Sequence, residues 1–101
     1  MAKRFEYEFE WDPAKARQNL KVHRVSFERA ATIFLGPFAL SEVDDEHSGE
    51  EPRWITLGLD RTDGLLVVSH TYREETESNA RIRLISARRA TKNEAKQYER
   101  K

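Results

Sequence analysis

The chain contains no cysteine, which removes disulfides, thiolate nucleophiles and cysteine-held metals from consideration. No apolar run approaches the ~20 residues that a membrane-crossing helix needs. Met1-Ala2-Lys3-Arg4 leads into Phe5 to Trp11, where aromatics alternate with glutamates, so no signal-peptide core forms. Glycine is scarce, with four residues, and they assemble no Gly-rich phosphate loop. Net charge is missing too: 18 lysines and arginines cancel 18 aspartates and glutamates, so the average favours neither disorder nor a polyanion. The 101 residues leave room for one core. A single soluble, cytoplasmic domain over residues 1–101, with no membrane partner, is the expectation.

The cancelled charge is unevenly spread. Glu42 to Glu51 holds six acids and no lysine or arginine, whereas Arg81 to Lys101 holds eight bases against two acids. Local fields act even when the total is zero, so the C-terminal end is the place to look for a bound anion.

Phe5, Tyr7, Phe9 and Trp11 alternate with Glu6, Glu8 and Glu10, which predicts a strand with one wet face. Asp12-Pro13 is a helix start, cap followed by first helical residue, for a helix over Pro13 to Val22 whose thin apolar stripe is Ala16 and Leu20. Ser26 caps a second helix with Phe27, Ala30, Ala31, Phe34 and Leu35 on one face, ended by Gly36-Pro37. Strands follow at Phe38 to Val43, Arg53 to Asp60 and Leu65 to Tyr72, with Asp63-Gly64 as a hairpin turn. Arg73 to Ala80 reads as a polar loop and Arg81 to Ser86 as the last strand. Thr91-Lys92-Asn93-Glu94 is a capping box for a short helix to about Arg100, which offers the core only Ala95 and Tyr98. The expected fold is α+β: a small, mostly antiparallel sheet with two helices packed on it and a short C-terminal helix, in the order β-α-α-β-β-β-β-α.

Chemistry concentrates at the basic end. Arg81 and Arg83 alternate with Ile82 and Leu84, so both guanidiniums leave one face of a strand, and paired forks suit a phosphate. Arg73 adds a third cation if the two strands form a hairpin, while Arg88, Arg89 and Lys92 lead into the last helix. His70, expected beside that group, is the best acid/base candidate because imidazole exchanges a proton near neutral pH; a strand histidine is equally an ordinary core residue. Tyr98 offers a hydroxyl but sits at helical spacing, as an anchor would. Trp54, with Arg53 before it, can stack a base or pack in the core. Asp44, Asp45, Glu46 and His47 are consecutive and diverge, so neither a metal nor another cofactor is expected. A non-catalytic adaptor for protein or RNA is the alternative reading. A DNA-binding repressor lacks a well-anchored reading helix.

Five blocks carry a family resemblance: Phe9-Glu10-Trp11-Asp12-Pro13-x-Lys15-Ala16-x-x-Asn19, Val25-Ser26-Phe27-Glu28-x-Ala30, Asp44-Asp45-Glu46-His47, Arg53-Trp54-Ile55-Thr56-x-Gly58 and Ile85-Ser86-Ala87-Arg88-Arg89-Ala90-Thr91. Together, over about Phe5 to Tyr98, the chain resembles BrnT, the toxin of a type II toxin–antitoxin pair. The resemblance implies a fold similar to the RelE ribonuclease toxins and inhibition of translation by RNA cleavage. It also implies neutralisation by a BrnA-type antitoxin, through which operator DNA is contacted. By matching blocks it carries over His70, Arg73, Arg81, Arg83, Ser86, Arg88 and Tyr98 as site residues. The chain departs from the family at Val22-His23-Arg24-Val25, where members commonly read His-Gly; arginine makes a left-handed helix stop costlier.

Overall fold

The computed structural model describes residues 5–99. Met1 to Arg4, read above as no signal peptide, and Arg100, the expected last residue of the final helix, lie outside them. In chain order the elements are β1 (Glu6–Glu10), α1 (Pro13–His23), α2 (Phe27–Ala31) continued by a 3-10 turn (Thr32–Leu35), β2 (Leu40–Val43), β3 (Trp54–Leu59), β4 (Leu65–His70), β5 (Arg73–Thr76), β6 (Asn79–Arg89) and α3 (Lys92–Glu99), with a second 3-10 turn at Asp45–His47. The six-stranded sheet runs β1-β6-β4-β3-β2, and β5 lies beside β6. Only β1 runs parallel to its partner, pairing Glu8 with Arg81 and Glu10 with Arg83.

Local chemistry sets the helix ends. The Asp12 carboxylate accepts from the Ala14 amide at 2.9 Å and the Ser26 hydroxyl from Arg29 at 3.1 Å, so two otherwise orphaned donors are satisfied. Arg24 adopts φ 60° and its amide donates to the Leu20 carbonyl. The left-handed stop thus persists without glycine.

Only half of the stripe expected for α1 is used: Ala16 packs against the core, but Leu20 is 50% exposed. Asn19 supplies the rest: buried, its amide donates to the carbonyls of Val25 (2.9 Å) and Ala87 (2.8 Å), and its oxygen accepts from the Ala87 amide (3.0 Å). One side chain therefore satisfies backbone groups of a loop and of β6. Between the helices and the sheet lies a core of Val25, Phe27, Ala30, Ile33, Leu66, Val68, Ile82, Leu84 and Ala87.

Two strand assignments need correction. Arg73–Thr76, read as loop, is β5, all exposed, hydrogen-bonded to β6; an edge strand needs backbone partners and not apolar side chains. Beta-6 spans Asn79–Arg89 with an irregularity where His70 pairs with Leu84 and Ser69 with Ser86. Ile85 is the extra residue, so the alternation slips by one. Ala80, Ile82 and Leu84 face the helices before it and Ala87 after it; Arg81, Arg83, Ser86 and Arg88 take the other face.

Candidate active site

Arg73, Arg81 and Arg83 converge on the open face of the sheet, lining a cleft of about 140 Å³ with Thr71, Glu10 and Glu51. Beta-6 supplies Arg81 and Arg83, and β5 places Arg73 directly across from Arg81. Beta-1 supplies the wet side that the alternating glutamates announced, and that side faces the arginines. Arg81 donates to Glu75 at 2.6 Å, Glu8 at 3.0 Å and Glu10 at 3.4 Å; Arg83 donates to Glu10 at 3.4 Å. The Arg81 hydrogen bond holds the Glu75 carboxyl below its ordinary range. The expected group of free cations is therefore corrected: three guanidiniums stand among Glu8, Glu10, Glu51 and Glu75.

These pairs are exposed, and such pairs contribute little, about 0–1 kcal/mol each. An incoming phosphodiester can displace them, most readily at Arg83. Its side chain is 52% exposed and its one ion pair among the described residues is long.

The structure separates several of the other candidates from this cleft. Arg88 shares the open face but lies five residues along β6, roughly 16 Å at strand spacing. It forks onto Glu94 of α3 at 2.8 and 2.9 Å, which lowers the Glu94 pKa to about 2. Lys92 is exposed at the start of α3, Tyr98 is half-buried along it, and Arg89 is exposed at the end of β6. Arg88 thus holds α3 to the sheet, and Lys92 and Tyr98 lie on that helix, at the far end of the sheet from the cleft.

His70 is not beside the arginines. It lies on the helix face, 2% exposed, with its ring edge-on to Phe34 at 4.8 Å. Its Nε2 bonds the Thr56 hydroxyl at 2.7 Å and its Nδ1 the Thr71 carbonyl at 2.9 Å, and burial pushes its pKa down. Both nitrogens are engaged and neither reaches the cleft. Trp54, also on that face, pairs across the ladder with His70 and Val43. It lines a second recess with Tyr7, Phe34, Ser41, His70 and Tyr72. Arg53 is half-buried just before β3, its amide donating to Ser48.

Sequence reasoning missed Glu10 and Glu51 as lining of the cleft and Glu8 and Glu75 as partners of Arg81. The signals were the wet face of β1 and the acidic run ending at Glu51, and nothing in the sequence says that either meets the C-terminal strand.

Fold and cleft define a small α+β protein with α1 and α2 on one sheet face and a charged cleft on the other, where α3 also docks through Arg88. Residues 11–94 match the family described as "Ribonuclease toxin, BrnT, of type II toxin-antitoxin system". The chain belongs to that family. Its fold is similar to the 1.1 Å crystal structure of the Brucella abortus ribonuclease toxin BrnT: TM-score 0.53 at 17% identity, covering 91% of this chain and 100% of that one. No curated protein matches by sequence. Among the described residues no helix is long and apolar enough to cross a membrane.

Proposed function

We propose that this single domain is an endoribonuclease toxin that cuts RNA at the Arg73–Arg81–Arg83 cleft without a metal ion and so stops translation in the cytoplasm. Convergence of Arg81 and Arg83 on the Glu10 carboxylate, with Arg73 lining the same cleft, carries this reading. The cations hold the phosphodiester and offset the extra negative charge of the pentavalent transition state. The ribose 2′-hydroxyl loses its proton to Glu10 and attacks the adjacent phosphorus. The bond to the 5′-oxygen breaks, and that oxygen takes a proton from water. The products are a 2′,3′-cyclic phosphate and a 5′-hydroxyl. The nucleophile belongs to the substrate and the positive charge to arginine, so the step requires no metal-bound hydroxide.

In this reading Arg53, Arg89 and Lys92 add long-range attraction for the RNA strand, and Arg88 and Tyr98 keep α3 in place. A BrnA-type antitoxin covers the charged face and displaces the carboxylate pairs, and operator DNA is met only through it. The ion pairs around Arg81 are the observation that favours the second reading, a non-catalytic adaptor. RNA incubated with the protein in excess chelator separates the two: cyclic-phosphate ends support cleavage, and intact RNA supports the adaptor.

A further inference from the structure

The second recess, on the helix face, has a volume of about 190 Å³ and is walled by Tyr7, Phe34, Trp54 and Tyr72, with Ser41 and His70 completing it. That is the share of about six waters in the liquid, room for one planar ring system. Four of its six lining residues carry aromatic rings, the side chains on which bases stack. It lies back to back with the cleft across one layer of strands: Thr71 and Arg73 line the cleft, and Tyr72 between them lines the recess. Beta-3 starts at Trp54, opposite His70, and among the described residues β5 pairs only with β6. Among the described residues the ladder is therefore open beside Arg73.

The polar groups of the recess are oriented by a hydrogen-bond chain. The Thr71 carbonyl can only accept, so His70 Nδ1 carries the proton and donates to it. In the neutral ring Nε2 is then an acceptor and takes the Thr56 hydroxyl proton. The Thr56 oxygen in turn takes the proton of Ser41, 2.7 Å away. Ser41 has no proton left to give and turns only lone pairs to the recess mouth.

We propose that this recess binds a nucleobase bearing an exocyclic amino group, stacked between Tyr72 and Trp54 and donating to Ser41 Oγ. The inference rests on the ribonuclease reading for its substrate class: a nucleotide beside the cut phosphate rounds the β5 edge and places its base here. His70 and Thr56 are positioning residues that set the direction of the Ser41 hydroxyl. Uracil presents its ring N–H between two carbonyl oxygens that the Ser41 lone pairs repel, so it is disfavoured.

The test is calorimetric titration of the full chain with adenosine, uridine and N6,N6-dimethyladenosine. Adenosine is expected to bind about five- to tenfold tighter than the other two, the worth of one hydrogen bond. Ser41→Ala, at an exposed position that leaves the core intact, is expected to level the three, and Tyr72→Ala to weaken all of them. No nucleoside binding, or binding indifferent to both substitutions, overturns the proposal. Substitutions that weaken antitoxin capture and leave nucleoside binding unmoved also overturn it, by assigning the recess to a protein side chain. Failed binding with RNA cleavage intact removes this site alone, whereas intact nucleoside binding with no cleavage removes the ribonuclease reading alone.

Discussion

His70 and Arg83 leave opposite faces of one pair of hydrogen-bonded strands. His70 lies across from Leu84 and under Phe34, while Arg83, one residue earlier on β6, faces Glu10 on the solvent side. The same ladder binds them, since the Thr71 amide donates to the Arg83 carbonyl at 3.0 Å. The arginines and the strand histidine therefore lie on opposite faces of the sheet, the former lining the cleft proposed as catalytic and the latter packed against Phe34.

His70 is accordingly expected to matter for stability more than for rate. His70→Ala removes the Phe34 contact and the hydrogen bonds to the Thr56 hydroxyl and the Thr71 carbonyl, costing about 2–4 kcal/mol, with cleavage per folded molecule expected to change only a few-fold. Denaturant unfolding beside single-turnover cleavage checks this; a thousandfold rate loss in a stably folded variant contradicts it. The sign with pH also follows. A histidine whose pKa is lowered by burial binds its proton more readily unfolded, so its contribution is complete above the unfolded value of ~6.5 and falls as pH drops below it. The melting temperature should decline from pH 7 to pH 5, and less so in His70→Asn.

Glu10 is the proton acceptor of the proposed reaction. Glu10→Gln keeps shape and hydrogen bonding while removing basicity, and is expected to slow cleavage by about 10²–10⁴-fold with stability changed by less than about 1 kcal/mol. Single-turnover rates at saturating RNA measure it. A loss confined to KM would instead make Glu10 a binding group.

Alpha-3 depends on one exposed ion pair and two half-buried side chains. The Arg88 hydrogen bonds depress the Glu94 carboxyl, so its contribution is present above the unfolded carboxylate range and is lost as pH falls from about 4.5 toward 2. Discounted for exposure, the pair contributes about 1 kcal/mol. Hydrogen exchange in residues 92–99 is expected to rise in Arg88→Ala while exchange in β4 and β6 stays slow. Uniform acceleration contradicts local undocking.

Asn19 carries more of the fold than its polarity suggests. Asn19→Ala leaves the Ala87 amide and two carbonyls without their partner, and a loss of about 2–4 kcal/mol is expected. Chemical denaturation checks it. Asn19→Leu should be no better, since the deficit lies in hydrogen bonding and not in volume.

The helix caps, the Asp63-Gly64 turn and the inward face of β1 were legible because each rests on a few neighbouring residues. Asp63 takes φ 64°, and the Asp60 side chain stays ionised although buried beside that turn. Burial alone raises its pKa, yet bonds from Thr62, Arg29 and Gly64 hold it far below the carboxylate range. What was not legible depends on tertiary register. Parallel pairing of β1 with β6 brings Glu8 and Glu10 to the arginines, and the extra residue at Ile85 aligns Arg88 with Arg83. Alternation counted from Leu65 does place His70 with Leu66 and Val68, but the pattern leaves open which face the arginines share. The Asn19 clamp was present in a matched block and silent in the hydropathy pattern.

Arg83→Ala gives the most direct test of the cleft, with RNA ends mapped after incubation and thermal unfolding followed in parallel. The expected result is loss of 2′,3′-cyclic-phosphate ends by at least about 100-fold with the melting temperature nearly unchanged. Cleavage that continues at the wild-type rate in the folded variant contradicts the assignment of the cleft as the catalytic centre.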